Sequence, residues 1–216
     1  MRERVIEQIE REKIIAIIRG VQKEKLPFVA EALYQGGIRV MEITYTTDKS
    51  VADEETAERI ANTVALFGDT ACIGAGTVTT ETQVELTYKA GGKFIISPDT
   101  YKPVIRRTRA LGLVSIPGAI TPSEAMTAVR AGADFVKLFP IAKLGGAPYV
   151  KAITAPLSGV KFLAVGGINE KNMSEYLRAG IKGFGVGANI VDMKLVETGD
   201  YAGITALAKV HISALQ

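Results

Sequence analysis

The chain has 216 residues, 47% of them hydrophobic, and its 26 Lys+Arg against 23 Asp+Glu leave a formal charge of only +3. That length and apolar content suit one barrel-sized domain over residues 1–216, while so mild an excess of base, with no basic stripe, argues against a nucleic-acid partner. The single cysteine, Cys72 in Ala71-Cys72-Ile73, excludes an internal disulfide and reads as a small buried hydrophobe; no apolar run approaches the roughly 20 residues of a membrane span, and a cytoplasmic location is expected.

In chain order, the charged N-terminus predicts a helix over about Glu3 to Glu12. A Val- and Ile-rich strand follows at Ile14 to Ile18, a helix at Leu26 to Tyr34, a strand at Ile38 to Ile43 and a long helix at Glu54 to Phe67. Ala71 to Gly74, Phe94 to Ser97, Leu113 to Ile116, Phe135 to Phe139, Phe162 to Val165 and Phe184 to Val186 bring the strands to eight, with helical patterns in every gap. Such alternation implies parallel strands joined by crossover helices. Gly36, Gly91, Gly132 and Gly180 each follow a helical stretch and fit left-handed C′ caps. Thr121-Pro122-Ser123-Glu124 has capping-box spacing. Arg106, Arg107 and Arg109 read as one solvated helix face. Eight such units close a barrel or form an open doubly wound sheet. Ile18-Arg19-Gly20-Val21 carries no dinucleotide fingerprint, so the expectation is an α/β fold, a (β/α)8 TIM barrel with an extra N-terminal helix over its lower end.

Parallel barrel strands are covered on both faces, so charges inside them stand out. In Asp134-Phe135-Val136-Lys137-Leu138-Phe139-Pro140, period-2 alternation puts Phe135, Lys137 and Phe139 on one face. If Val136 and Leu138 pack against helices, Lys137 points into the barrel near the strand's C-terminal end, where barrel enzymes place their chemistry. A buried lysine favours its neutral, nucleophilic amine, which condenses with ketones. Position alone leaves this reading level with a snorkelling or ion-paired lysine. Glu42, inside Ile38 to Thr44, is a second inward charge, either an ion-pair partner or a general acid/base beside an iminium. Arg19 ends the first strand and Thr77 follows the third, and a guanidinium and a hydroxyl at one rim suit a carboxylate.

Gly166-Gly167 precedes Ile168-Asn169-Glu170, read as a helix start, and Gly185-Val186-Gly187 precedes Ala188-Asn189-Ile190, read as a short extra helix. Glycine lets backbone N–H groups approach an anion, and barrels often bind phosphate in these two loops. The alternative is tight turns only. His211, the one histidine, lies in the C-terminal amphipathic stretch, away from the strand ends, as a surface or packing residue, so zinc has no obvious ligands and no cofactor is expected.

Glu42-Ile43-Thr44, Gly74-Ala75-Gly76-Thr77, Ile96-Ser97-Pro98, Ile116-Pro117-Gly118, Val136-Lys137-Leu138-Phe139-Pro140 and Gly166-Gly167-Ile168 occur in order. Together they resemble the 2-keto-3-deoxy-6-phosphogluconate (KDPG) aldolase family, which includes 6-phosphogalactonate and 4-hydroxy-2-oxoglutarate aldolases, over nearly the whole chain. The resemblance implies a homotrimer of barrels that cleaves KDPG to pyruvate and glyceraldehyde 3-phosphate. It implies that Lys137 forms the Schiff base, Glu42 transfers protons, Thr77 binds the pyruvate carboxylate, Pro98 and Phe139 shape the pocket, and Gly166, Gly167 and Gly187 hold phosphate. Three positions depart from the best-known pattern. An arginine expected two residues after the Glu-x-Thr motif is Thr46, and Arg19 is a candidate for its role; a threonine before Gly-Gly is Val165, as in the galactonate branch; a serine after the last Gly-x-Gly is Ala188, with Asn189 a candidate to compensate. These departures leave the aldehyde half open. A sugar-phosphate isomerase or synthase, and a non-catalytic anion-binding barrel, share the glycine loops but need no imine.

Overall fold

Short β-branched runs, each stopped by glycine, proline or a polar residue, become the strands of a parallel barrel. The computed structural model describes residues 1–215. Its strands are β1 (Ile14–Ile18), β2 (Val40–Thr44), β3 (Cys72–Gly76), β4 (Phe94–Ile96), β5 (Val114–Ile116), β6 (Gly118–Ala119), β7 (Val136–Leu138), β8 (Phe162–Val165) and β9 (Gly183–Val186). The helices are α1 (Arg2–Glu12), α2 (Leu26–Gln35), α3 (Asp53–Phe67), α4 (Glu81–Lys89), α5 (Lys102–Ala110), α6 (Pro122–Ala131), α7 (Gly146–Thr154), α8 (Met173–Arg178), α9 (Met193–Thr198) and α10 (Tyr201–Ser213). Strand order is β5-β4-β3-β2-β1-β9-β8-β7-β6. Among the described residues no helix is long and apolar enough to cross a membrane.

The expected fifth strand is two pieces. Pro117, which has no N–H to give a ladder, separates β5, paired with β4, from β6, paired with β7. The seam between them is closed by other bonds. Asp134 and Phe135 N–H donate to Ser115 O at 2.9 and 3.2 Å, and Lys137 N–H to Pro117 O at 2.8 Å. The Asp134 carboxylate accepts from Ser115 N–H at 2.9 Å, from Arg2 of α1 at 2.8 Å and from Arg109 of α5 at 3.1 Å.

Alternation along the strands sorts the side chains as expected. Met41, Ile43, Val136 and Leu138 pack outward against the helices, whereas Val40, Phe94, Ile116, Phe135 and Leu163 fill the barrel. Val5 and Ile9 of α1 join that inner cluster and plug the lower end. Cys72 is buried there, its thiol pushed up to about 12 by burial, so it acts as a small apolar residue.

Local signals mostly hold. The Thr121–Glu124 capping box forms, and Gly91, Gly132 and Gly180 take positive φ. Gly36 does not; the left-handed residue is Gly37, with φ 97°. Gly36 is needed instead because a Cβ there would lie 2.3 Å from Ala208 Cβ, where α10 crosses α2. Arg107 and Arg109 are not free on a solvated face, since they pair with Glu85 and Asp134; Arg106 is exposed. His211 is buried, with Nδ1 2.8 Å from Leu207 O, so packing is its place. Its Nε2 lies 3.9 Å from Glu170 in the loop after β8, closer to a strand end than its place in the sequence suggests.

Candidate active site

The C-terminal ends of the strands surround a cavity of about 600 Å³, within the range of small-molecule sites. All eleven residues singled out from the sequence line it: Arg19, Glu42, Thr77, Pro98, Lys137, Phe139, Gly166, Gly167, Gly187, Ala188 and Asn189. They come from seven strand ends, which is why spacing along the chain does not reveal their proximity. Ile17, Ile168, Gly185, Val191 and Met193 also line it and were missed, along with Val165, noted only as a departure. Ile17 was legible, because it shares the inward face of β1 with Arg19. Val191 and Met193 were not, because they reach the cavity from the bend after β9 and the first residue of α9.

At the floor, Lys137 is 7% exposed and Glu42 2%. No contact within 4.0 Å pairs the ammonium with the carboxylate among the described residues, so the ion-pair alternative for Lys137 is not what forms. Burial holds the Lys137 amine below the usual lysine range; Glu42 and Asp99 oppose that shift and Arg19 adds to it. Burial likewise pushes the Glu42 carboxyl up, against the pull of Lys137 and Arg19. Each group is thus driven toward its neutral form, which suits an amine nucleophile beside an acid able to give or take a proton. The Phe139 ring lies 4.8 Å from Lys137 Nζ.

One wall carries the only other cation of the cavity among the described residues. Arg19 Nη2 donates to Thr77 Oγ1 at 3.0 Å. Thr77 has φ 56°, a conformation that costs a β-branched residue about 1–3 kcal/mol and that is found disproportionately at ligand sites. Thr46, where an arginine was absent, lies outside the cavity, its hydroxyl donating to Val51 O. Arg19 therefore stands beside Thr77 with a guanidinium turned to the same rim.

The opposite wall is backbone. Gly166 and Gly167 have φ 92° and 79°, and the amides of Gly167, Ala188 and Asn189 make no loop hydrogen bond among the described residues. The helices expected here are displaced. Asn169 and Asn172 build side-chain-capped turns, so α8 starts only at Met173, and residues 188–190 form a single turn. Asn189 Nδ2 is already committed to Ile168 O at 2.6 Å, so its amide group braces the two loops against each other and leaves only its oxygen to compensate for the hydroxyl missing at Ala188.

Comparisons with known proteins agree with this geometry. The sequence model of the KDPG and KHG aldolase family matches residues 5–207. A probable 2-dehydro-3-deoxy-6-phosphogalactonate aldolase of Rhizobium meliloti (strain 1021) is 38% identical over 178 residues, 82% of this chain and 81% of that protein. A solved native KDPGal structure superposes with a TM-score of 0.83 at 31% identity, over 94% of this chain and 93% of its own. A KDPG aldolase from Legionella pneumophila, with pyruvate captured as a covalent carbinolamine, superposes with a TM-score of 0.82 at 33% identity, over 92% and 93%.

Proposed function

Because this chain belongs to the KDPG and KHG aldolase family, we propose that Lys137 is its Schiff-base nucleophile and Glu42 its proton-transfer group. The protein is a carbon–carbon lyase, a class I aldolase of the type that cleaves KDPG to pyruvate and glyceraldehyde 3-phosphate. The observation that carries the residue roles is one buried lysine on a barrel floor, without an ion-pair partner among the described residues, lining the same cavity as one buried carboxyl.

The chemistry follows from the electrostatics. The neutral Lys137 amine adds to the C2 ketone, and loss of water from the carbinolamine, assisted by the Glu42 carboxylic acid, leaves an iminium. While it is protonated, the iminium carries a positive charge that draws Glu42 toward its carboxylate form. The carboxylate takes the C4 hydroxyl proton, the C3–C4 bond breaks, its electron pair moves into the enamine, and the aldehyde leaves. Glu42 returns the proton to C3, and hydrolysis frees pyruvate and the amine. Arg19 and Thr77 receive the keto acid's carboxylate, Pro98 and Phe139 confine the ketone, and the amides around Gly166, Gly167, Gly187, Ala188 and Asn189 receive the phosphate. The same reading carries a homotrimeric assembly and a cytoplasmic location.

Treatment with pyruvate and borohydride should leave one covalent adduct on Lys137 by peptide mapping. An adduct on another lysine, or none, rules the assignment out. A second reading concerns the aldehyde. Val165 gives the cavity an apolar wall where a hydroxyl was a possibility, and the Rhizobium meliloti relative is named for 6-phosphogalactonate chemistry. Cleavage rates on the two C4 epimers decide between gluconate and galactonate preference.

A further inference from the structure

Glu42 lies on β2, whose Thr44 is in register with Gly76 of β3. Its side chain leans along the strand toward the barrel mouth and comes to rest against Gly76. A Cβ at residue 76 would lie 1.5 Å from Glu42 Oε1, 2.1 Å from Cδ and 2.5 Å from Cγ. The backbone cannot turn that Cβ aside, because Gly76 O accepts from Tyr45 N–H at 2.9 Å within the β2–β3 ladder.

Gly76 has no positive φ, so its conformation is one alanine adopts freely. Its neighbour Gly74 makes the contrast. A Cβ there would meet Phe94 O at 2.5 Å, a backbone atom that cannot yield. Gly74 is therefore a requirement of the barrel wall, whereas the three nearest atoms that a Cβ at Gly76 would meet all belong to the Glu42 side chain.

We propose that Gly76 is a positioning residue, present so that the Glu42 carboxyl can lie flat on β3 at the distance from Lys137 that proton transfer needs. The proposal rests on the assignment of Glu42 as the proton-transfer group. A methyl at residue 76 displaces the Glu42 carboxyl while leaving the chemical identity of every group that touches the substrate unchanged.

The test uses the full chain and pyruvate as probe, with two readouts: borohydride trapping, which reports the imine, and exchange of the pyruvate methyl protons in deuterated water, which reports proton transfer at C3. Gly76→Ala should still accumulate the trapped pyruvate adduct on Lys137, more slowly because Glu42 assists carbinolamine dehydration, yet lose exchange and cleavage together by about 100-fold or more, the scale of a lost general acid/base. In a Glu42→Gln background, Gly76→Ala should cost nothing further, whereas a merely structural role would add its loss to that of Glu42→Gln. Wild-type exchange in Gly76→Ala, alongside slow exchange in Glu42→Gln, overturns the proposal alone; wild-type exchange in Glu42→Gln removes the assignment it rests on. If Gly76→Ala does not fold, Glu42→Ala/Gly76→Ala should, because the clashing side chain is gone. An unfolded double variant overturns the proposal.

Discussion

Asp134→Ala should open the seam that Pro117 leaves in the barrel. The Asp134 side chain is 5% exposed, and its carboxylate joins Ser115 N–H of β5, Arg2 of α1 and Arg109 of α5 one residue before the strand bearing Lys137 begins its apolar run. A buried hydrogen bond to a charged acceptor contributes about 1.5–3 kcal/mol, and Ser115 N–H would lose its partner outright. The two guanidiniums are 26% and 33% exposed, so solvent screening limits each pair to about 1 kcal/mol at most. Together the loss is about 2–5 kcal/mol, a large share of a typical domain's stability. For a chain of this size that lowers the melting temperature by about 10 °C. Asp134→Asn keeps an acceptor for Ser115 and should lose only about 1–2 kcal/mol. Thermal and urea melts followed by circular dichroism measure both. An alanine variant within about 0.5 kcal/mol of the wild type, the range of ordinary surface changes, would mean that the backbone bonds alone hold the seam.

Two further outcomes follow from the site. Because the Lys137 amine sits below its ordinary value of 10.5, the reactive neutral form fills in as pH rises through that lowered value; kcat/KM should climb with unit slope from the acid side and level off below pH 10.5, and a limb still rising there contradicts the burial argument. Arg19→Lys keeps a charge but loses the planar fork that reaches Thr77, so the KM for the keto acid should rise about 10-fold or more with kcat changed much less, measured by steady-state cleavage; an unchanged KM removes Arg19 from carboxylate binding.

The parallel barrel and most of the residues lining its cavity were legible along the chain. Period-2 alternation at Glu42 and Lys137 made both charges inward, and the turn residues at Gly166, Gly167 and Gly187 marked the opposite wall, because side-chain direction and backbone freedom are local properties. Approach between distant segments was not legible. The split at Pro117 depends on which neighbour each half-strand pairs with. Gly36 answers to α10 and not to its own helix end, and Gly76 answers to the carboxyl of another strand. The local pattern carries each side chain's direction, but the separation of Lys137 and Glu42, which form no salt bridge among the described residues, is set by barrel closure.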